Sequence, residues 1–214
     1  MTAARPPDLA ARLLATEADA LPPILRRTPA PAFDRPTVCT GWSVRDVLAH
    51  CGSALVRLAE GRLHQFTPEQ NEVDVAERRP WPLEDVLAEL EHGYAAAAPA
   101  LAAAGNRGDG LALGEWVHGG DIREALEEPL AYESDGIDDA LVLLVERSQA
   151  RALPPTRVRL PDRELLLGVP ADGVRRAELV TDAATLVRLC SGRRPDPARF
   201  TLRGADPGRY QLFG

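Results

Sequence analysis

The segment that decides the fold lies at residues 42–61 and has the sequence WSVRDVLAHCGSALVRLAEG. Ser43 is suited to cap a helix, and Asp46, three residues later, can complete a short form of the capping box. Apolar residues follow at intervals of three and four positions, which is the spacing of one helix face. We therefore predict a helix that begins after Ser43 and ends near Gly61.

The apolar residues of this helix form one stripe, which we expect to lie on a core of other helices. They are Val44, Val47, Leu48, Cys51, Leu55 and Leu58. His50 stands at the flank of the stripe, where a helix in a bundle faces its neighbours. Its imidazole is therefore a candidate functional group.

Similar spacing predicts further helices in the first 150 residues. One runs from Leu9 to Leu25, where Pro22-Pro23 must kink or break it. The others span about 82–94, 111–126 and 138–148, and residues 64–81 are predicted to be a loop or a short irregular helix. Helices of this length, joined by moderate loops, favour an antiparallel four-helix bundle.

After residue 153 the pattern changes to short strand-like runs separated by turns. The runs lie near residues 158–160, 165–169, 177–180, 200–202 and 210–213, with a helix capped by Asp182 among them. We therefore predict two domains: a helical bundle over residues 1–153 and a small α+β domain over residues 154–214.

Length and composition describe a folded globular chain. It has 214 residues, of which 45% are hydrophobic and 27% charged, near the averages for soluble proteins. The three cysteines are few and far apart, which argues against a disulfide framework. No apolar run is long enough to span a membrane, and the first residues lack the apolar stretch of a signal peptide. We expect a cytoplasmic protein with no membrane partner.

The charge of the chain is unevenly distributed. Residues 1–150 carry 13 arginines against 25 acidic residues, whereas residues 151–214 carry 12 arginines against seven. The acidic larger part argues against nucleic-acid binding, while the basic remainder can attract a small anion. Arg193, Arg194 and Arg203 are candidates to bind substrate carboxylates through paired hydrogen bonds. The alternative for each is an ordinary surface position, because arginine is the only cation of the chain other than histidine.

Three residues of the helical part form a candidate metal site. Glu115 and His118 are three positions apart, so a helix would present both on one face. With His50 they make two imidazoles and one carboxylate, a set that zinc uses in catalytic sites with one position left open. The alternative is that both histidines are hydrogen-bonded packing residues. Asp121, one helical turn beyond His118, is either an acceptor that orients an imidazole or a solvated surface carboxylate.

Two stretches of the sequence resemble the actinobacterial maleylpyruvate isomerase family that depends on mycothiol. They are DRPTVCTGWSVRDVLAH at residues 34–50 and LGEWVHGGDIR at residues 113–123. Residues 181–194, TDAATLVRLCSGRR, are similar to the family's small C-terminal domain. The use of arginine without lysine indicates a GC-rich genome, which agrees with an actinobacterial source.

The resemblance implies an N-terminal DinB-like bundle that holds a divalent metal, usually zinc. The positions that match the family's metal ligands are His50, Glu115 and His118. In the family the glutamate usually precedes the histidine by four residues, where this chain has Gly114. Both spacings place the carboxylate on the same helix face.

The resemblance also implies a function. We expect a metal-dependent enzyme with mycothiol as co-substrate, which either isomerises a cis double bond or transfers the thiol to a small electrophile, preferably an acidic one. The alternative is a DinB-like module that binds metal without thiol chemistry and has a binding or regulatory role.

Overall fold

The computed structural model describes residues 5–6, 8–62 and 67–213. The chain divides into two compact units, Met1–Asp139 and Ala140–Gly214. The first is helical, and the second contains a small β-sheet. This agrees with the coarser part of the predicted fold class, a mostly helical chain with a small sheet near its C-terminus.

The first unit contains five α-helices among the described residues: α1 (Leu9–Arg27), α2 (Val44–Ala59), α3 (Pro68–Arg78), α4 (Leu83–Ala104) and α5 (Asp109–Ala125). Helix α2 packs most extensively against α4 and also contacts α3 and α5. Helix α1 packs against α4 and α5. The resulting apolar core draws leucines and valines from α1, α2 and α4.

Helix α2 begins as its sequence predicts. The Ser43 hydroxyl accepts a hydrogen bond from the backbone N–H of Asp46, and the Asp46 carboxylate accepts one from the backbone N–H of Ser43. Both bonds satisfy N–H groups that a helix start leaves without partners. The whole predicted apolar stripe of α2 is buried.

Three helices differ in part from the expectation. One of them is α4, which continues through Pro99 to Ala104, beyond its predicted end near residue 94. Helix α1 is one continuous helix through Pro22 and Pro23, and Leu21, Pro22 and Leu25 are buried in it, so tertiary packing offsets the lost backbone hydrogen bonds. Residues 64–81, predicted to be a loop or a short irregular helix, contain the regular helix α3, because Thr67 caps it and Pro68 occupies its first turn. Residues 64–66 of that prediction lie outside the described residues.

The second unit is built on a sheet of strand order β2-β1-β3-β4. Its strands are β1 (Thr156–Arg159), β2 (Glu164–Leu167), β3 (Ala177–Val180) and β4 (Thr201–Arg203). The β1–β3 pair is parallel and the two outer pairs are antiparallel. Asp182 caps the helix that follows β3, α7 (Ala183–Cys190), as predicted. The strand predicted near residues 210–213 does not form: residues 207–210 form a 3₁₀ turn, and residues 211–213 have no regular secondary structure.

Helix α6 (Ile137–Ala150) crosses the division between the units. Most of it belongs to the second unit, whereas the sequence placed it in the first domain, before residue 153. The Ser148 hydroxyl accepts a hydrogen bond from the backbone N–H of Gly168, and Arg147 donates to the carbonyl of Leu212. These bonds tie α6 to residues that follow it in the second unit.

Among the described residues, every helix is either too short or too polar to cross a lipid bilayer.

A buried ion pair joins α1 to α5. Arg123 Nη1 and Nη2 donate to the two carboxylate oxygens of Glu17 at 2.8 and 3.1 Å. Glu17 is 0% exposed and Arg123 is 2% exposed. Gly119 lies on the same side of α5, where a Cβ atom would overlap the Glu17 carboxylate. The absence of a side chain at residue 119 is therefore what lets this pair form.

We predict that Gly119→Ala destabilises the protein by roughly 1–3 kcal/mol or more, because the new methyl group overpacks a buried site. Gly114→Ala in the same helix is the matched control, since no packing neighbour among the described residues lies within 4 Å of a Cβ atom there. That control should gain about 0.5–1 kcal/mol from helix propensity. Urea unfolding of both variants measures the difference. Equal changes in the two variants would contradict the packing argument.

Candidate metal centre

Helices α2 and α5 place two imidazoles side by side. The ring centroids of His50 and His118 are 5.0 Å apart, and the rings meet edge to face at 81°. His50 is 9% exposed and His118 is half-buried. Two of the three predicted ligand residues therefore lie next to each other, although they are far apart in sequence.

His50 lies in surroundings that disfavour a charge. Burial lowers the pKa of His50 to about 3, and the repulsion that His118 and Arg57 can exert on a charged His50 acts in the same direction. The Trp42 ring lies across the imidazole, with 5.1 Å between centroids. The described part of the chain offers no hydrogen-bond partner to the buried Nδ1 of His50. The imidazole is therefore neutral near pH 7, which is the form that binds metals.

Glu115, the third predicted ligand, is also buried in α5. Its carboxylate forms a hydrogen bond with the Cys51 thiol, while Oε2 meets no hydrogen-bond partner within the described residues. Burial raises the pKa of Glu115 to about 8; the bond from Cys51 opposes this rise, and the charge of Glu17 adds to it. The carboxyl thus lies in the helical core beside an apolar thiol.

His118 also belongs to a second group of possible metal ligands, together with Cys39 and Asp121. His118 Nδ1 lies 2.9 Å from Asp121 Oδ2, and Cys39 Sγ lies 3.3 Å from the same oxygen. The sulfur is 3.8 Å from His118 Nδ1. These three residues could hold a metal ion, since their ligand atoms lie within 4.8 Å of one another. The group shares His118 with the predicted ligand set but contains neither His50 nor Glu115.

Cys39 reaches this place through a tight loop before α2. A β-bridge between Pro36 and Ser43 closes the loop. Inside it, the backbone N–H of Cys39 donates to the Thr37 hydroxyl at 3.1 Å, and the backbone N–H of Trp42 donates to the Cys39 carbonyl at 2.9 Å. These bonds hold the half-buried thiol against α5.

Asp121 is a buried acceptor, so the alternative of a solvated surface carboxylate is wrong. It is 0% exposed, and Tyr132 donates its phenolic hydrogen to Asp121 Oδ1 at 2.5 Å. Tyr132 and Cys39 were not predicted from the sequence as neighbours of Asp121. Neither has a spacing signal relative to His118, because Cys39 is 79 positions away and Tyr132 follows the end of α5.

The three arginines predicted to bind substrate belong to the second unit. Arg193 is half-buried, and its Nη1 donates to the Ser191 carbonyl at 2.6 Å. Arg194 is exposed, and so is Arg203 at the end of β4. Their role toward a substrate stays a prediction.

Comparison with known proteins identifies relatives of this fold. The family model of the mycothiol maleylpyruvate isomerase N-terminal domain matches residues 14–127. A crystal structure of the mycothiol-dependent maleylpyruvate isomerase is similar with a TM-score of 0.62 at 15% identity, over 92% of this chain and 93% of that one. A structure of a histidine-to-alanine mutant of that enzyme has the same TM-score and coverage at 13% identity. A search of curated proteins finds no match.

We predict that Glu115 makes the metal-free protein less stable as the pH rises from about 5 to 8. The folded protein keeps the proton up to about pH 8, whereas the unfolded chain releases it near the ordinary pKa of 4.5. In chelator-treated protein, Glu115→Gln should therefore flatten the fall in unfolding free energy over this range. Urea unfolding at several pH values measures it, and Glu133→Gln removes one exposed carboxyl as a control for net charge. An unchanged slope in Glu115→Gln would refute the prediction.

Proposed function

The chain belongs to the mycothiol maleylpyruvate isomerase family, and on that premise we propose that it is a metal-dependent enzyme with mycothiol as co-substrate. It isomerises the cis double bond of a small acidic electrophile or transfers the thiol to such an electrophile. We place this activity in the cytoplasm.

The main support for the proposed metal site is a pair of buried polar atoms. His50 Nδ1 and Glu115 Oε2 are buried polar atoms that meet no hydrogen-bond partner within the described residues, and the His118 ring adjoins His50. A buried polar atom without a partner costs about 1–3 kcal/mol, so two of them on neighbouring helices favour a bound group. Two imidazoles and a carboxylate suit zinc. His50, Glu115 and His118 would hold a divalent metal, preferably zinc.

A divalent metal held there would supply the positive charge that keeps the sulfur of mycothiol as a thiolate, the nucleophilic form. Two residues of the chain, His50 and Trp42, shape the proposed metal site. His50 stays neutral because burial disfavours its cation, and the Trp42 ring covers one side of its imidazole. The Trp42 indole is held by a hydrogen bond to Glu72 at 3.0 Å.

The reaction follows from thiolate addition to a conjugated double bond. The sulfur forms a bond to one alkene carbon, and the π electron pair moves onto the neighbouring carbonyl group. The former double bond is now single and can rotate. Return of the electron pair expels the thiolate and leaves the trans isomer. If the carbanion takes a proton instead, the carbon–sulfur bond remains and the outcome is thiol transfer.

We predict that the purified protein contains about one divalent metal ion per chain, most readily zinc. His50→Ala and His118→Ala should lose it, because each removes one ligand. His92→Ala, at an exposed position on α4, is the matched control and should keep it. Elemental analysis measures the content. Protein that is metal-free after gentle purification and does not rebind zinc would overturn the proposal.

An activity assay distinguishes the proposed mycothiol-dependent enzyme from a metal-binding module without thiol chemistry. Zinc-loaded protein should consume maleylpyruvate or another acidic electrophile only when mycothiol is added. Metal binding without thiol-dependent turnover of any electrophile would favour the DinB-like binding or regulatory module.

Arg193, Arg194 and Arg203 are proposed to bind the substrate carboxylates. We predict that replacing at least one of them by Ala lowers kcat/KM about 10- to 100-fold, which matches the loss of one charged hydrogen bond. The metal content should not change, because no metal ligand is removed. Arg175→Ala, an exposed arginine of the same unit, is the control. Normal kinetics in all three variants would exclude these residues from substrate binding.

A further inference from the structure

Three polar groups lie within hydrogen-bond distance of the buried Asp121 carboxylate. It is 0% exposed. Tyr132 donates to Oδ1 at 2.5 Å, while His118 Nδ1 at 2.9 Å and Cys39 Sγ at 3.3 Å both lie at Oδ2. A buried carboxylate requires such partners, because its desolvation is costly.

We propose that Asp121 is the positioning residue of the metal centre and determines which nitrogen of His118 binds the metal; this rests on the proposed function. Tyr132 donates to one oxygen of Asp121 and Cys39 to the other, so the carboxylate acts as the acceptor, and the His118 nitrogen that faces it would carry the hydrogen. In the neutral imidazole the lone pair then lies on Nε2. Asp121 thus presents Nε2 of His118 as the ligand atom and keeps Nδ1 out of the coordination sphere.

The backbone of α5 is adapted to this arrangement. His118 and Asp121 are three residues apart, so they share one face of the helix. Gly120 between them has no side chain, and a Cβ atom there would lie 2.5 Å from Cδ1 of Tyr132. The Tyr132 ring can therefore pack directly on the helix and bring its hydroxyl to Asp121. Gly120, Tyr132 and Asp121 therefore pack together next to the Nδ1 side of His118.

Cys39 allows a competing arrangement. If His118 carried its hydrogen on Nε2, a metal could bind Nδ1 together with Cys39 Sγ and an oxygen of Asp121. The observed network favours the hydrogen-bonded form, because Tyr132 and Cys39 both donate to Asp121, and His118 Nδ1 lies at hydrogen-bond distance from the same carboxylate. In that form Cys39 supports Asp121 and does not bind the metal.

The negative charge of Asp121 should also strengthen the bond from His118 to the metal. A carboxylate hydrogen-bonded to a ligand imidazole raises its basicity, and removing such a partner typically weakens metal binding 10- to 100-fold. Asp121→Asn removes the charge with little change in shape. We expect its zinc affinity to fall by about 10- to 100-fold.

The first test measures zinc affinity by competition with a chromophoric chelator. Tyr132→Phe is the matched control, because it removes one buried hydrogen bond of the network but keeps the carboxylate beside His118. A positioning role predicts a clearly larger loss of affinity in Asp121→Asn than in Tyr132→Phe. Equal losses in both, or wild-type affinity in Asp121→Asn, would overturn the inference.

The second test uses spectroscopy to determine which His118 nitrogen carries the hydrogen and whether Cys39 binds the metal. Long-range ¹H–¹⁵N spectra of the metal-free wild-type protein should show His118 with its hydrogen on Nδ1, assigned by the signal missing in His118→Gln. With Co²⁺ in place of zinc, Cys39→Ser should have the same spectrum as the wild-type protein. Hydrogen on Nε2, or a thiolate-to-cobalt band that disappears in Cys39→Ser, would overturn the inference.

The two proposals can fail separately. A wild-type protein that binds no zinc would refute the metal-dependent function, and the NMR signal of His118 would still report its tautomer. A wild-type protein that binds zinc tightly, with Asp121→Asn equal to it, would refute only the role of Asp121.

Discussion

The Glu17–Arg123 ion pair holds α1 against α5 in a place where neither side chain reaches water. Removing one partner of a buried pair costs about 3–5 kcal/mol, so α5 has little freedom to turn about its axis. Gly119 makes room for the pair and directly follows His118 in the chain. The interaction that orients α5 in the first unit therefore also orients the candidate metal centre.

Once α5 is oriented, the residues along it face three different surroundings. Glu115 enters the core beside Cys51, His118 meets His50 across the α2–α5 contact, and Asp121 meets Tyr132. A helix that served stability alone would place apolar side chains at these buried positions. Several buried polar groups on one helix lower stability, and such a concentration is typical of a functional site.

Local signals predicted much of the helical part. Ser43 and Asp46 are three residues apart, so the capping box that starts α2 is contained in one helical turn. The apolar stripe of α2 repeats every three or four residues, and the Asp182 cap of α7 is equally local. By contrast, continuation of α1 through Pro22 depends on burial against α4 and α5. Of the two predicted outcomes, a kink or a break, the break does not occur, because packing that local sequence does not show offsets the lost hydrogen bonds.

Local spacing was enough to predict where most helices begin, that a helical part precedes a part with short strands, and that Glu115 and His118 share a helix face, because these properties depend on neighbours a few residues apart. The position of His50 beside the apolar stripe of α2 made it a candidate, and the resemblance agreed with that choice. Tertiary packing alone pairs Glu17 with Arg123, 106 positions later, and brings Cys39 to Asp121, 82 positions later. No spacing rule connects residues so far apart. Their contacts arise only when packed helices bring distant segments together, and the buried hydrogen bonds of Asp121 exist only in that packed state.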